Sequence, residues 1–146
     1  MKVWLNGSSL GRPIDRSGLR RRARAALDVL GYSGAELSLS LVDDETMARL
    51  SGRFGREEQP TDVLAFSLLE GAGAEFRGDC LGDVVVSVET AQRQAEEGDV
   101  ELDNELRDLV IHGILHLLGM EHDKRADARR MRALEDHLRW ELSRLA

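Results

Sequence analysis

Residues 112–123 read HGILHLLGMEHD, and three of the chain's four histidines fall within this stretch. On a helix, His112 and His116 lie one turn apart and project from the same face, so their imidazoles can bind one ion. Gly119 is expected to end that helix, because glycine adopts the left-handed C-cap conformation without steric cost. We expect the chain then to turn back and bring His122 to the same ion.

Three protein ligands leave a fourth coordination position open, which is typical of a catalytic zinc site. A structural zinc normally has a fourth Cys or His ligand, and neither Cys80 nor His137 has the local spacing for that role. We therefore predict a metal site formed by His112, His116 and His122. Three imidazoles favour zinc, and nickel or another divalent ion stays open as an alternative. His137 belongs to a different predicted helix and is interpreted as an ordinary surface histidine.

Gly113 distinguishes this segment from a zinc peptidase with the same spacing, in which the residue after the first histidine is a glutamate base. A glycine allows the helix to approach a neighbouring sheet closely. Zinc lowers the pKa of a bound water to about 7, so activation of water does not require that glutamate. A zinc peptidase-like hydrolase stays open as an alternative, weakened by the missing base.

The rest of the chain alternates between predicted strands and helices. Glu36–Val42 alternates apolar and polar residues, as a half-buried strand does, and the last helix, over 127–145, has an apolar face. Asp103 or Asn104 is expected to cap the histidine helix. The strands are predicted at 2–5, Glu36–Val42, 63–66 and 83–88, and the other helices at 15–30, after Asp44 and at 89–97. Four strands and five helices predict a mixed sheet covered by helices, in an α+β or α/β fold.

Composition limits the function. A chain of 146 residues fits one domain over 1–146, and the single Cys80 excludes an internal disulfide. No signal-like or membrane-spanning run is apparent, so we expect a cytoplasmic protein without a membrane partner. The net charge of -7 argues against a globally basic RNA-binding surface. A group of arginines near the N-terminus nevertheless forms either a solvated helix face or a patch that faces RNA or the ribosome. These arginines are at positions 12, 16, 20, 21, 22 and 24.

The histidine segment resembles the signature of the YbeY family of bacterial rRNA maturation ribonucleases, H-G-x-L-H-L-x-G-[YF]-D-H. Met120 and Glu121 stand where that signature has an aromatic residue and Asp. Four further stretches are similar to the family in the same order: PTDVLAF (60–66), LGDVVVSVETAQRQA (81–95), ELRDLVIHG (105–113) and MRALE (131–135). The resemblance therefore covers most of the chain after about residue 43.

This resemblance implies an α+β fold related to zinc metalloproteases, with a zincin-like metal helix. It implies a small mixed sheet of four strands and one zinc bound by His112, His116 and His122. The implied activity is a single-strand-specific endoribonuclease that acts in 16S rRNA 3′-end maturation and ribosome quality control. The implied partners are the 16S 3′ region and the ribosome or its proteins, and no DNA is expected. A zinc-stabilised ribosome assembly factor without catalysis is a further alternative.

The family commonly carries an aromatic-Arg-Gly step before its Pro-Thr-Asp segment. Here residues 53–62 read RFGREEQPTD, so Gly55 occupies the arginine's place and Arg56 that of the glycine. We expect Arg56 to be the catalytic arginine, with Arg53 a weaker candidate. The resemblance also makes Thr61 and Asp62 candidates for substrate binding on the wall of a cleft, whereas the residues alone indicate only a turn into a strand.

Two carboxylates precede His112 on the same helix face. Asp108 lies roughly one turn and Glu105 two turns before it, so either could accept the second imidazole N–H of a ligand. The alternative is that both are solvated carboxylates.

Overall fold

The computed structural model describes residues 2–53, 61–67, 80–119 and 125–144. No helix in these ranges is both long and apolar enough to cross a membrane. The elements in chain order are β1 (Lys2–Gly7), α1 (Arg16–Val29), β2 (Glu36–Val42), α2 (Asp44–Arg53), β3 (Val63–Ser67), β4 (Cys80–Ser87), α3 (Val88–Glu97), α4 (Leu102–Leu117) and α5 (Arg125–Ser143).

The four strands form one mixed sheet in the order β1-β2-β4-β3. β1 and β4 both run parallel to β2, and β3 pairs antiparallel with β4. The predicted α+β fold, with a four-stranded mixed sheet and five helices, is confirmed. β3 flanks β4 on the side away from β2, and both strands contact α4, the helix of the histidines.

The alternation of β2 determines where the main core lies. Leu37, Leu39 and Leu41 are buried, whereas the residues between them are only partly buried. These leucines belong to one apolar cluster that also contains buried side chains of α1, α3, α4 and α5. A second, smaller cluster joins Met47 of α2 to Leu64 and Val85 of the sheet. Four helices therefore share the larger core, and α2 packs separately.

α4 is the central helix and contacts β3, β4, α1, α3 and α5. Gly113 lies so near the sheet that a Cβ atom there would be 2.6 Å from Cγ1 of Val84. The expected close approach at this glycine is thus confirmed. Gly119 follows the helix with a φ of +91°, as expected of a glycine that reverses the chain after a helix.

The start of α4 differs from the prediction. The helix begins at Leu102, and its N-cap residue, Glu101, makes no capping hydrogen bond through its side chain. Neither Asn104 nor Asp103 is the cap, since both lie inside the helix. Asp103 has another role. Its Oδ1 accepts a hydrogen bond of 3.1 Å from the backbone N–H of Asp15, which in turn caps α1 through Gly18. Asp103 therefore links the beginnings of α1 and α4.

Candidate metal centre and cleft

His112 and His116 lie together on α4, one turn apart. Their Nε2 atoms are 3.0 Å from each other, and their ring centroids are 4.5 Å apart. Both residues are partly buried, and the side chain of His112 is 31% exposed. The helical spacing thus brings two imidazole nitrogens to one point, as predicted, at a position that solvent can reach.

The two histidines line a cleft of about 370 Å³ between α4 and the β3 edge of the sheet. Among the residues that the structure describes, its remaining wall consists of Thr61, Asp62, Val63, Ala65 and Gly113. Thr61 and Asp62, which the family resemblance made candidates for a cleft wall, therefore share this cavity with His112 and His116.

Asp62 is held in place by the neighbouring strand and helix. Its backbone carbonyl accepts a hydrogen bond from Ser87 N–H at 2.9 Å. One carboxylate oxygen accepts from Val63 N–H at 2.7 Å, and the other accepts from Nε2 of Gln94 at 3.3 Å. These contacts fix the Asp62 carboxylate at the end of β4.

The second ring nitrogen of His112 contacts Glu135, a residue of α5. Nδ1 of His112 lies 3.2 Å from Oε1 of Glu135, whose side chain is only 13% exposed. An ionised carboxylate only accepts hydrogen bonds, so this contact favours the tautomer of His112 that has its proton on Nδ1 and its lone pair on Nε2, toward His116. Sequence reasoning missed Glu135. The sequence feature that could have identified it is the position of an acidic residue on the apolar side of the last helix, between Met131 and Leu138.

Asp108 and Glu105, for which the sequence left open either a contact with a ligand or a solvated position, have the following surroundings. Asp108 accepts a hydrogen bond from Nε of Arg107 at 3.0 Å and lies 3.4 Å from Nε of Arg139. Burial raises the pKa of Glu105, and the negative charges of Asp108 and Asp62 raise it further. The outer contact of His112 that the structure describes is therefore made by Glu135, not by the two carboxylates named from the sequence.

The Nε2 atoms of His112 and His116 are spaced as two ligands of one zinc ion would be. Two nitrogens that each lie about 2.0–2.1 Å from a tetrahedral zinc are roughly 3.3 Å apart, close to the observed Nε2 separation. Within the described ranges, no three His, Cys, Asp or Glu side chains are grouped so as to hold a metal. The predicted third ligand, His122, and the predicted catalytic Arg56 both lie outside those ranges.

Comparison with known proteins identifies the family. The family model described as Endoribonuclease YbeY matches residues 12–143. A protein of that name from Geobacter metallireducens is 38% identical over 92% of this chain and 91% of its own length. Another from Aquifex aeolicus is 38% identical over 91% of this chain and 87% of its own length. A third, from Heliobacterium modesticaldum, is 42% identical over 82% of this chain and 78% of its own length.

A solved structure supports the fold. The solution structure of a Thermotoga maritima protein superposes with a TM-score of 0.59, covering 97% of this chain and 93% of that one. Its sequence identity is 24%, so this likeness concerns the fold alone. The family match extends from before α1 to the end of α5 and includes both histidines and the cleft wall. The chain therefore belongs to the YbeY endoribonuclease family.

Proposed function

We propose that this protein is a zinc-dependent endoribonuclease that cleaves single-stranded RNA. Its proposed role is 16S rRNA 3′-end maturation and ribosome quality control in the cytoplasm, with rRNA and ribosomal proteins as partners. Membership of a family named for endoribonuclease activity supports RNA as the substrate. The observation that carries the proposal is the meeting of two Nε2 atoms, 3.0 Å apart, on the wall of an open cleft.

In this proposal, Nε2 of His112 and Nε2 of His116 hold the zinc, together with His122. His122 follows Gly119 by three residues, so their Cα atoms are at most about 11 Å apart. A bound zinc supplies Lewis acidity toward a phosphate oxygen and lowers the pKa of water.

In this proposal, Thr61 and Asp62 of the cleft wall bind the substrate. The hydroxyl of Thr61 can donate a hydrogen bond to a phosphate oxygen. The Asp62 carboxylate, which Val63 and Gln94 hold in place, can accept a hydrogen bond from a ribose 2′-OH. Because DNA lacks that hydroxyl, this contact would favour RNA.

Arg56 supplies the positive charge in this proposal. It precedes Thr61 by five residues, so their Cα atoms are at most about 18 Å apart. A guanidinium can bind two phosphate oxygens at once and stabilise the charge that develops in the transition state. Without it, the described cleft wall offers an acidic residue, Asp62, and no arginine or lysine to a phosphate.

The peptidase alternative is disfavoured by Gly113. A Cβ atom at this position would already lie 2.6 Å from Cγ1 of Val84 and 3.2 Å from Cγ2 of Val63. A glutamate base would therefore require the sheet to move away from α4. Residue 113 therefore cannot carry the base of a zinc peptidase without such a movement.

The test is cleavage of a single-stranded RNA that carries the 16S 3′ end, beside its duplex form and the DNA of the same sequence. Zinc-loaded wild type is compared with His116→Ala and with His137→Ala, whose histidine is exposed on α5 and 4.0 Å from Glu141. We expect wild type and His137→Ala to cleave only the single-stranded RNA, and His116→Ala to be inactive. Salt-sensitive RNA binding without cleavage would instead favour an assembly factor.

Arg56 is tested in the same assay. Loss of a group that stabilises transition-state charge typically lowers kcat by about 10²–10³-fold. We expect Arg56→Ala to show this loss while it binds zinc as the wild type does. Arg53→Ala is the matched control, and a larger loss in that variant would transfer the role to Arg53.

A further inference from the structure

Glu135 is an acidic residue on the core-facing side of an amphipathic helix. It lies on α5 between the fully buried Met131 and Leu138, and its side chain is 13% exposed. Both of its oxygens have partners. Oε1 lies 3.2 Å from Nδ1 of His112, and Oε2 accepts a hydrogen bond of 3.3 Å from Nη2 of Arg139. A carboxylate this buried requires such partners, because desolvation of an isolated charge is costly.

Arg139 is itself fixed between α5 and α4. Its Nη1 donates to Oδ1 of Asp136 at 2.8 Å. Its Nε lies at an ion-pair distance of 3.4 Å from Oδ1 of Asp108 on α4 but makes no hydrogen bond among the described residues. Asp108 also accepts a hydrogen bond of 3.0 Å from Nε of Arg107. The guanidinium therefore spans three carboxylates, and its position relative to α4 does not depend on Glu135 alone.

These contacts form a continuous chain from Asp108 through Arg139 and Glu135 to His112. We propose that Glu135 is a positioning residue, held by Arg139, that fixes the ring orientation and the protonated nitrogen of His112 for metal binding. Without the carboxylate, the imidazole could rotate or carry its proton on Nε2, the atom that must face the metal. This inference rests on the proposed metal site.

The arrangement also connects the two helices that flank the predicted third ligand. His112 belongs to α4, Glu135 to α5, and His122 lies between these helices in the sequence. The contact between Glu135 and His112 therefore adds a polar link between α5 and the metal helix to the apolar packing of Met131, Leu138 and Leu142. A change in Glu135 should act on the metal site through this link between the helices as well as through the imidazole.

The experiment measures the zinc affinity of the full chain by competition with a chromophoric chelator. Loss of an outer partner of a metal-binding histidine typically weakens affinity by about 10–100-fold. We expect Glu135→Ala to show a loss in this range. Glu135→Gln keeps an acceptor oxygen for Nδ1 and should lose less. Arg139→Gln, which frees the carboxylate without removing it, should lose about 10-fold or less.

Glu141→Gln is the matched control, because Glu141 is also a glutamate of α5 that lies beside a histidine, His137, outside the cleft. We expect wild-type zinc affinity for it. Thermal unfolding of each protein without metal shows whether a variant has simply lost stability. If Glu135→Ala fails to fold, the zinc affinities of Glu135→Gln and Arg139→Gln test the inference instead.

The visible absorption spectrum of the cobalt-substituted protein supplies a readout that a purely structural role would not move. A reoriented imidazole changes the ligand field, so the bands of Glu135→Ala should shift most, those of Glu135→Gln should shift less, and those of Glu141→Gln should not shift. Wild-type zinc affinity and an unshifted spectrum in both Glu135 variants would overturn the inference. His116→Ala is measured in parallel. If that variant also bound zinc normally, the metal site itself would be wrong, which is a separate failure.

Discussion

Gly113 carries two consequences at the scale of a single residue. It removes the side chain that would serve as a peptidase base, and it allows α4 to lie against Val84 of the sheet. The second consequence accounts for the residue without reference to catalysis. Since Val84 is fully buried and valine has a stiff side chain, its methyl groups have little room to move.

Gly113→Ala should therefore destabilise the protein although alanine favours helices. Overpacking of this kind costs about 1–3 kcal/mol, and the helix propensity of alanine offsets up to about 1 kcal/mol. We expect a net loss of roughly 1–2 kcal/mol in the free energy of unfolding, measured by urea denaturation. Gly34→Ala is the control, because a Cβ atom at Gly34 would meet nothing within 4 Å. Equal stability of both variants would contradict the close packing.

Glu105 gives a prediction with a defined pH dependence. Burial, followed by the charges of Asp108 and Asp62, raises its pKa above 4.5 in the folded protein. The fold therefore favours the protonated form, and the associated stability is present below pH 4.5 and lost as the pH rises through the folded pKa. Glu105→Gln imitates the protonated form. We expect it to raise the Tm at pH 7 and to have little effect below pH 4.5, and a lower Tm at pH 7 would contradict this.

At the scale of the element, the contact that joins α2 to α3 depends on one carboxylate. Oδ1 of Asp44 accepts hydrogen bonds from the hydroxyls of Ser87 at 2.6 Å and Thr90 at 2.7 Å. Its Oδ2 lies 2.9 Å from Nη1 of Arg93. The backbone N–H of Asp44 donates to Glu89. The first turns of two helices are therefore connected across the end of β4.

Asp44→Ala should loosen this junction. Burial alone would raise the pKa of Asp44, but the hydrogen bonds from Ser87, Thr90 and Arg93 outweigh it, and the pKa lies below 3.8. The stabilisation is therefore present above pH 3.8 and lost as the pH falls through the folded pKa. We expect a loss of about 1.5–3 kcal/mol at pH 7, which is typical of hydrogen bonds to a charged group.

Urea denaturation of Asp44→Ala at pH 7 and again near pH 3 provides the measurement. The difference from wild type should shrink at the lower pH. The control is Glu45→Ala, which removes an exposed carboxylate from the same turn of α2. A loss in Glu45→Ala as large as that in Asp44→Ala would mean that the charge on the helix end, and not the junction, is responsible.

The elements also indicate how far the sequence could predict this molecule. β2 has the predicted limits because its alternation of apolar and polar residues is a local property of the chain. The start of α4 was misplaced because Asp103 bonds to Asp15, which is 88 residues away. The convergence of His112 and His116 was predictable since one helical turn separates them. Glu135 was not, because it reaches His112 from another helix.

At the scale of the whole molecule, the charge is distributed unevenly. The chain has a net charge of -7, which opposes the approach of RNA from a distance. Arg20, Arg21 and Arg24 are nevertheless exposed on α1, a helix that packs against α4 and α5. The sequence left two interpretations of these arginines open, a solvated helix face and a surface for RNA or the ribosome. The dependence of RNA binding on salt distinguishes them.

The double substitution Arg20→Gln/Arg24→Gln removes two exposed charges that lie one turn apart on α1. If these side chains bind phosphates, the slope of log affinity against log salt for a single-stranded RNA should decrease by about 0.7 for each phosphate that is no longer neutralised. Zinc affinity should stay that of the wild type, because neither residue lines the cleft.

Arg49→Gln, at an exposed arginine of α2, is the control. An unchanged slope and affinity in the double variant would identify the α1 arginines as a solvated face. RNA would then have to be held by the cleft and by partners on the ribosome.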